Sequence, residues 1–357
     1  MLALFFQHPV KTGSHLPSVS LVISVYNEDR ILKKKIENAL GLDYPENLME
    51  IAIVSDGSTD RTNDIIHSYA QRDRRIIPCI EPKNQGKTAC LNDFLPKLGG
   101  EIILFSDANS FYDKDLIHKI VRPFTDESIG FVTGSTRYYS PSGSKIVEAP
   151  GLYSRIERKI KSLESKIGSC VGADGAVFAM RKALFSPMQA HDINDIVIPF
   201  QIVKQGYRGI LEEETLCEEE ASQAATGQLR RQVRITSRTL RAIFNHKTLL
   251  NPFRFPLFSI EIISHKLMKF TAPFFMLLFL ITNILLAWRG RLVYQIILFM
   301  QIFLYFLSLA GFLRQKKMIR NRWVDFCHTF ILINVAYAIG WFKYARGETY
   351  TSWTVER

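Results

Sequence analysis

The chain has 357 residues and a formal net charge of +11, enough length for one sizeable catalytic domain and a membrane region. Basic chains bind nucleic acid, anionic lipid or phosphorylated substrates. Here the basic residues cluster before and between apolar segments, which favours lipid and phosphate, and nucleic acid is not expected as a partner. The five cysteines form no C-x-x-C pair and are interpreted as reduced structural thiols, typical of a cytosolic catalytic domain.

Residues 1–17 are predicted to form a loose leader, after which apolar runs alternate with stretches of helical periodicity. The runs at 19–25, 51–55 and 102–106 are short, continuous and rich in branched residues, which is typical of buried parallel strands. Alternation of this kind indicates a doubly wound α/β sheet. The other predicted elements are a strand at 76–80 and helices at 31–40, 60–71, 88–98 and 116–124.

Polar side chains stand where each of the three buried runs ends. They are Tyr26 and Glu28 after the first run, Asp56 after the second, and Asp107 and Asn109 after the third. Ligands of open α/β sheets bind at the carboxyl ends of the strands, so these groups are expected to share one crevice. The pattern predicts an enzyme.

The residue types in this crevice suit a phosphorylated ligand and a cation. Asp56 can accept a hydrogen bond from a base or ribose, or cap a helix in an ordinary turn. Asp107 and Asn109 alternate and can face one side, where their oxygens suit Mg²⁺ or Mn²⁺; an Asx turn is the other interpretation. Lys87 follows Gly86 at the start of a helix, which predicts a phosphate site.

The second half of the chain is predicted to hold a charged helix at 151–166 and a glycine-spaced loop at 172–176 that leads into an apolar run. Asp195 precedes a helix predicted at 196–205 and is either a general base or the N-cap, with the residue type alone favouring the cap. Residues 229–266 interleave basic and apolar side chains, which predicts a segment lying along the inner membrane surface.

Three apolar segments follow, at 270–288, 292–313 and 326–342, and each is long enough to be a candidate for crossing a bilayer. Five basic residues separate the second and third segments, whereas two separate the first and second. The positive-inside rule then predicts a cytoplasmic catalytic domain and a carboxyl tail outside. The predicted organisation is a leader at 1–17, a catalytic domain at 18–228, an interface segment at 229–266, three transmembrane helices at 267–345 and a tail at 346–357.

The order and spacing of these motifs resemble the family 2 glycosyltransferases, in particular the membrane-bound branch that contains cellulose and hyaluronan synthases. The similarity extends from about Val19 to the carboxyl end. The motifs that carry it are Val25-Tyr26-Asn27-Glu28, Ser55-Asp56-Gly57-Ser58-Thr59-Asp60, Asn84-Gln85-Gly86-Lys87, Ser106-Asp107-Ala108-Asn109, Gly172-Ala173-Asp174-Gly175-Ala176, Asn194-Asp195 and Arg230-Arg231-Gln232-Val233-Arg234.

The resemblance implies a GT-A fold, a nucleotide-sugar donor, Mg²⁺ or Mn²⁺, and inversion at the anomeric carbon. Asp56 matches the aspartate that holds the nucleoside, and Asp107 matches the first acid of the D-x-D motif. Asp195 matches the catalytic base at the end of the T-E-D motif, which favours the base over the cap. Arg234 matches the arginine of Q-x-x-R-W, which meets the diphosphate.

The remaining site residues are assigned from the same resemblance. Tyr26, Glu28, Lys87 and Arg231 are expected to contact the donor, together with Asp56, Asp107 and Arg234. Gly172 and Asp174 are expected to contact the acceptor, and Asp107 and Asn109 to hold the metal.

Three positions depart from the family pattern. Asn109 replaces the second acid of D-x-D. Arg231 and Ile235 stand where the family has Gln and Trp, which removes the tryptophan from the acceptor platform.

Together with the apolar segments, the resemblance implies a membrane-bound inverting glycosyltransferase of the inner (plasma) membrane, with a UDP-sugar as the expected donor and a polysaccharide or glycolipid as the acceptor. Other subunits of a polysaccharide export system are expected as partners. Two alternatives stay open: transfer of a single sugar to a lipid carrier, and a non-catalytic membrane subunit that keeps the fold, a hypothesis motivated by Asn109.

Overall fold

The computed structural model describes residues 8–139, 151–220, 225–315 and 321–350. The predicted leader and tail lie partly outside these ranges, as do Lys316, Lys317 and Arg320 of the predicted basic loop. The chain forms two compact units. The first comprises Met1–Gln223, Asn245–Glu261 and Tyr350–Arg357, and the second comprises Ala224–Phe244 and Ile262–Thr349.

An eight-stranded mixed sheet forms the centre of the first unit in the described part of the chain. The strands are β1 (Val19–Val25), β2 (Met49–Asp56), β3 (Ile76–Glu81), β4 (Ile102–Asp107), β5 (Phe111–Tyr112), β6 (Ile129–Tyr139), β7 (Val177–Arg181) and β8 (Arg208–Glu220). Their order across the sheet is β3-β2-β1-β4-β7-β6-β8-β5.

Helices connect the strands and then continue beyond the sheet. In the first unit they are α1 (Asp29–Leu40), α2 (Thr62–Ala70), α3 (Lys87–Phe94), α4 (Leu116–Val121), α5 (Gly151–Ile167), α6 (Asn194–Lys204) and α8 (Pro256–Glu261). The second unit holds α7 (Ala225–Asn245, whose last residue belongs to the first unit), α9 (Met268–Trp288), α10 (Leu292–Gln315) and α11 (Arg322–Ala345).

The parallel half of the sheet brings the predicted site residues to one edge. Strand β1 is buried along its whole length and pairs in parallel with both β2 and β4. Val25 lies opposite Ser55, and Ser24 lies opposite Asp107. The three strands therefore end at the same level, as the sequence predicts.

The other half of the sheet differs from the predicted doubly wound arrangement. Strand β7 runs antiparallel to both β4 and β6, and β8 runs parallel to β6. Neither β6 nor β8 is among the predicted strands. The doubly wound prediction therefore holds only for the first four strands in the chain, and the complete sheet is mixed.

Three helices in the described residues are long and apolar enough to cross a membrane, by length and composition: Pro256–Trp288, Leu292–Leu313 and Trp323–Ala345. The first begins at a proline, which is tolerated there because the first helical residues have no intrahelical N–H partner. It continues from α8 through a π-helical stretch, Ile262–Leu267, into α9.

Helices α9 and α10 form an antiparallel hairpin within the second unit. The Gln295 side chain donates to the carbonyl oxygen of Ala287 at 3.3 Å, and the Asn283 side chain donates to Gln301 at 3.2 Å. At a rise of about 1.5 Å per residue, this register brings the start of α9 and the end of α10 to the same end of the hairpin.

Helix α11 contacts that same end of the hairpin with both of its halves. Near its start, His328 lies 3.1 Å from the carbonyl oxygen of Ser308 at the end of α10. Near its end, the Trp341 indole donates to the carbonyl oxygen of Phe270 at 3.0 Å, at the start of α9. Helix α7 contacts this end of α11 as well, because Phe244 stacks on Tyr344 with ring centroids 5.4 Å apart.

Candidate active site

The loops after β1 and β2 are joined by hydrogen bonds. Asn27 adopts a left-handed backbone with φ of 52°, and its side-chain oxygen accepts from the Thr59 N–H at 2.8 Å. The Glu28 N–H donates to the Thr62 hydroxyl at 2.9 Å, and the Glu28 side chain is buried. Tyr26 is half-buried beside them. The predicted donor contacts Tyr26 and Glu28 therefore lie in a loop that hydrogen bonds to the loop after β2 hold in place.

Asp56 is almost fully buried and holds the loop that precedes α3. Its carboxylate accepts from the N–H groups of Gln85 at 2.7 Å and Gly86 at 2.9 Å. The Cys90 thiol lies 3.3 Å from the same carboxylate; burial, together with the charge of Asp56, raises the pKa of this thiol and keeps it a donor. The helix-cap interpretation of Asp56 is wrong, because Asp60 accepts from the Thr62 N–H where α2 begins.

Gly57 allows the loop after β2 to pack closely against the loop that precedes α3. It has a φ of +65°, and a Cβ built on it would lie 2.3 Å from the backbone nitrogen of Asn84. Only glycine fits such a left-handed position against another backbone.

The same loop reaches the candidate metal site. The Lys87 ammonium lies 2.6 Å from a carboxylate oxygen of Asp107. Asn109 is half-buried two residues further on. The structure therefore brings the predicted phosphate-binding lysine to the predicted metal ligand.

The donor set at Asp107 and Asn109 fits a hard divalent cation. Among the described residues there is no group of three or more His, Cys, Asp and Glu side chains that could hold a metal alone. Mg²⁺ is bound through one or two carboxylates, with water and substrate phosphates as the other ligands. One carboxylate and one amide oxygen, beside a lysine predicted to bind phosphate, meet that requirement.

Asp195 lies in the first turn of α6 and is not its N-cap. The helix begins at Asn194, and Ile193 occupies the cap position. The carbonyl oxygen of Asp195 accepts from the Ala173 N–H at 2.8 Å. A Cβ built on Gly175 would lie 3.2 Å from its carboxylate. The loop after α5 therefore packs directly on the predicted base, and the cap interpretation is wrong.

Asp174 is held by β6. Its carboxylate accepts from the N–H of Thr136 at 3.0 Å and from the hydroxyl of the same residue at 2.9 Å. Its own N–H donates to the Thr133 hydroxyl at 2.8 Å. These bonds fix the loop in which Gly172 is buried. Contact of Gly172 and Asp174 with an acceptor stays a prediction.

Residues of α3 also form hydrogen bonds with the segment that precedes Asp195, the predicted base. The Thr88 hydroxyl donates to the carbonyl oxygen of Asp192 at 2.7 Å. The Asn92 amide donates to the carbonyl oxygen of Met188 at 2.7 Å. Residues 85–92 therefore contact Asp56, Asp107 and the segment 188–192, which precedes Asp195.

Two lysines near the site are missed by the sequence reasoning. Burial lowers the pKa of Lys161 on α5, but nearby acids, Asp174 first and Asp195 among them, raise it more. Lys35 on α1 is fully buried, and this burial lowers its pKa to about 7. Its position could be found from helical periodicity, because it lies on the buried stripe of α1 with Leu32 and Ile36.

Arg231 and Arg234 lie on α7 in the second unit. Arg231 is exposed and Arg234 is half-buried. Their contact with a donor diphosphate stays a prediction.

Residues 20–186 match the family model described as Glycosyl transferase family 2, which confirms the resemblance for that part of the chain. The chain is 32% identical over 126 residues to the probable glycosyltransferase YdaM of Bacillus subtilis, covering 34% of this chain and 30% of that protein. It is 33% identical over 119 residues to a beta-monoglucosyldiacylglycerol synthase of Nostoc, covering 33% and 25%.

A third relative aligns over a longer stretch. The chain is 24% identical over 209 residues to the poly-beta-1,6-N-acetyl-D-glucosamine synthase of Staphylococcus aureus, covering 57% of this chain and 50% of that protein. The alignments thus span between a quarter and a half of the length of these three relatives.

The fold is shared with a solved glycosyltransferase. The mannosyltransferase PcManGT of Pyrobaculum calidifontis, solved with GDP-Man and Mn²⁺, superposes with a TM-score of 0.70 over 96% of this chain and 91% of that one, at 18% identity. This likeness confirms the Rossmann-like GT-A fold.

Proposed function

We propose that the protein is a membrane-bound inverting glycosyltransferase. It transfers a sugar from a nucleoside diphosphate sugar, with UDP as the expected nucleotide, to a hydroxyl of a polysaccharide or glycolipid. One observation carries the proposal: residues 85–92 touch all three parts of the candidate site. They bind the Asp56 carboxylate, pair with Asp107 and hold the segment before Asp195.

Asp195 serves as the general base in this reaction. Its carboxylate takes the proton of the acceptor hydroxyl as that oxygen forms a bond to the anomeric carbon. The bond from the anomeric carbon to the diphosphate oxygen breaks on the opposite face, so the configuration inverts. Helix α6 begins at Asn194, and its N-terminal dipole favours the ionised carboxylate that a base requires.

Charge on the departing diphosphate is stabilised by cationic groups. Lys87 is placed for this role at the start of α3, where a helix N-terminus also favours an anion. Arg234 supplies a further positive charge in our proposal. A divalent cation held by Asp107 and Asn109 would neutralise the diphosphate and so stabilise the leaving group.

The test is a panel of nucleotide sugars incubated with the purified full chain and Mn²⁺ or Mg²⁺, with detection of the nucleoside diphosphate released. Release from one donor, above the rate with boiled protein, supports the proposal. A chain that releases no nucleoside diphosphate from any donor, with and without membrane lipid, is a non-catalytic subunit instead.

Transfer of a single sugar to a lipid carrier is the second candidate, and Ile235 favours it. The residue stands where the polymerising branch of the family has the tryptophan of its acceptor platform. Product length on a gel separates the two, because a single band contradicts polymer synthesis and a ladder contradicts single transfer.

We also propose how the membrane part is arranged. The hairpin of α9 and α10 crosses the bilayer. Its end formed by the start of α9 and the end of α10 adjoins the basic sequence between α10 and α11, and this end faces the cytoplasm under the positive-inside rule. Since both halves of α11 contact that end, the carboxyl tail lies on the cytoplasmic side. The sequence prediction instead has three full crossings and the tail outside, and cysteine labelling decides between the two arrangements.

Cysteine labelling in intact cells checks this topology. Lys317→Cys and Ser352→Cys are expected to resist a membrane-impermeant maleimide until the cells are opened. Arg289→Cys, in the turn between α9 and α10, is expected to react from outside and serves as the positive control. The unmodified chain is the blank, because its five cysteines are buried.

Labelling of Ser352→Cys from outside would mean that α11 crosses the membrane. Labelling of Lys317→Cys from outside would reverse the orientation of the whole membrane part.

A further inference from the structure

Ser110, the residue after Asn109, is held from two sides inside the protein. The Lys35 ammonium of α1 donates to its carbonyl oxygen, and its hydroxyl donates to the Glu219 carboxylate of β8. Lys35 and Ser110 are completely buried, and Glu219 is 6% exposed. A cation and a carboxylate from two distant segments therefore meet on one serine of the candidate metal loop.

Helix α1 braces the next residues of this loop as well. The Lys35 ammonium lies 4.0 Å from the centre of the Tyr112 ring. One turn further along, Asn38 donates to the Tyr112 carbonyl oxygen at 2.9 Å and accepts from its N–H at 3.0 Å. The loop that begins at Asp107 is therefore anchored to the interior directly after its second candidate ligand.

Such an arrangement is costly for folding. A fully buried lysine loses its hydration, and apolar residues of similar volume are often as stable or more stable in its place. The hydrogen bonds and the opposite charges of Lys35 and Glu219 offset only part of that loss. A contribution to stability alone therefore does not explain a lysine here.

We propose that Lys35 and Glu219 clamp Ser110 and thereby position Asn109 as a metal ligand. The inference rests on the metal role in the proposed function and adds the residues that allow the Asn109 side-chain amide to act as a metal ligand. A carboxylate has two equivalent oxygens, whereas an amide has one oxygen and one NH₂ group. Asn109 therefore binds a cation only when its backbone and side chain are held in the right orientation.

The test is direct measurement of Mn²⁺ binding to the full chain in the presence of UDP, and of GDP, ADP and CDP in separate samples. Free Mn²⁺ is followed by electron paramagnetic resonance. Residues that orient metal ligands typically change affinity by ~10–100-fold. We expect a loss in that range for both Lys35→Met and Ser110→Ala. Lys33→Met, an exposed lysine on the same helix, is the matched control and is expected to bind normally.

The two variants separate positioning from a simple effect of charge. Lys35→Met removes a positive charge near Asp107, so a purely electrostatic role would strengthen Mn²⁺ binding. Ser110→Ala changes no charge and would then have no effect. Weaker binding in both variants supports the clamp, and tighter binding in Lys35→Met contradicts it.

A double-mutant comparison of Ser110→Ala with Asn109→Asp distinguishes positioning of Asn109 from a general loss of stability, which would lower Mn²⁺ affinity equally in both backgrounds. In an Asn109→Asp background either carboxylate oxygen can ligate, so Ser110→Ala is expected to cost less than ~3-fold in Mn²⁺ affinity, compared with ~10-fold or more in the natural chain. Equal losses in the two backgrounds would show that the clamp does not act through Asn109.

Failure of this inference is distinguishable from failure of the proposed function. If the natural chain binds no Mn²⁺ with any nucleoside diphosphate, the metal role itself is wrong. If it binds Mn²⁺ and Ser110→Ala binds equally well, only the clamp is wrong. Melting curves identify a Lys35→Met protein that does not fold, and Ser110→Ala with its coupling to Asn109→Asp then decides the question.

Discussion

Asp195→Asn is expected to reduce sugar transfer by about 10²–10⁴-fold, the range for removal of a positioned general base. Donor affinity and melting temperature are expected to change little. The substitution keeps the size of the side chain, and the bond to the Ala173 N–H comes from the backbone of residue 195. The donor is proposed to be held elsewhere, by Asp56 and Lys87.

The measurements are initial rates of nucleoside diphosphate release and donor affinity by calorimetry. Asp64→Asn is the matched control, because Asp64 is an exposed carboxylate in the first turn of α2. Full activity in Asp195→Asn would remove the base assignment. Loss of donor binding together with activity would show that the residue is structural.

Asp107→Ala is expected to lower transfer by more than ~10²-fold through a different step, since it removes a group proposed to stabilise the departing charge. The variant loses a metal ligand and the partner of Lys87. Donor binding in the presence of Mn²⁺ is therefore expected to weaken, in contrast to Asp195→Asn.

Asp113→Ala removes an exposed carboxylate nearby and is the control for this variant. Donor binding is measured with and without EDTA. Natural protein that binds donor and transfers sugar equally well in EDTA would contradict the metal role. An Asp107→Ala protein that shows as large a gain in donor binding on addition of Mn²⁺ as the natural protein would show that Asp107 is not a metal ligand.

The site is predictable from the sequence where local pattern and strand ends decide the outcome. The apolar runs that end at Glu28, Asp56 and Asp107 can be read directly, because buried parallel strands are continuous in the sequence. Alignment of their ends then follows from the sheet itself. For this reason most residues of the candidate donor site can be predicted from the sequence alone.

Strands β6 and β8 are not predictable in this way. Both contain glycine, and β8 includes the acidic runs Glu212–Glu214 and Glu218–Glu220, which look like solvated loop. Their glycines allow close contacts with distant residues: a Cβ on Gly134 would lie 2.6 Å from the Thr215 carbonyl oxygen, and one on Gly209 would overlap the Phe131 ring. Pairing with a distant strand outweighs the local propensity here.

Side-chain contacts between segments far apart in the sequence are the other features that cannot be predicted. Lys35 and Ser110 are separated by 75 positions, and Ser110 and Glu219 by 109. Periodicity can mark Lys35 as a lysine in an apolar stripe, but it cannot name the loop that the lysine supports. The approach of Gly175 to Asp195 is hidden for the same reason.

The ion pair between Lys87 and Asp107 has a consequence for the order in which ligands arrive. A free cation that approaches Asp107 meets a carboxylate already neutralised by an ammonium 2.6 Å away, and must displace it. A nucleoside diphosphate would offer that ammonium a new anionic partner, so binding of the phosphates is expected to release Asp107. The ligand-free protein is therefore expected to bind bare metal ions weakly, and metal and nucleotide are expected to bind synergistically, each increasing the affinity for the other.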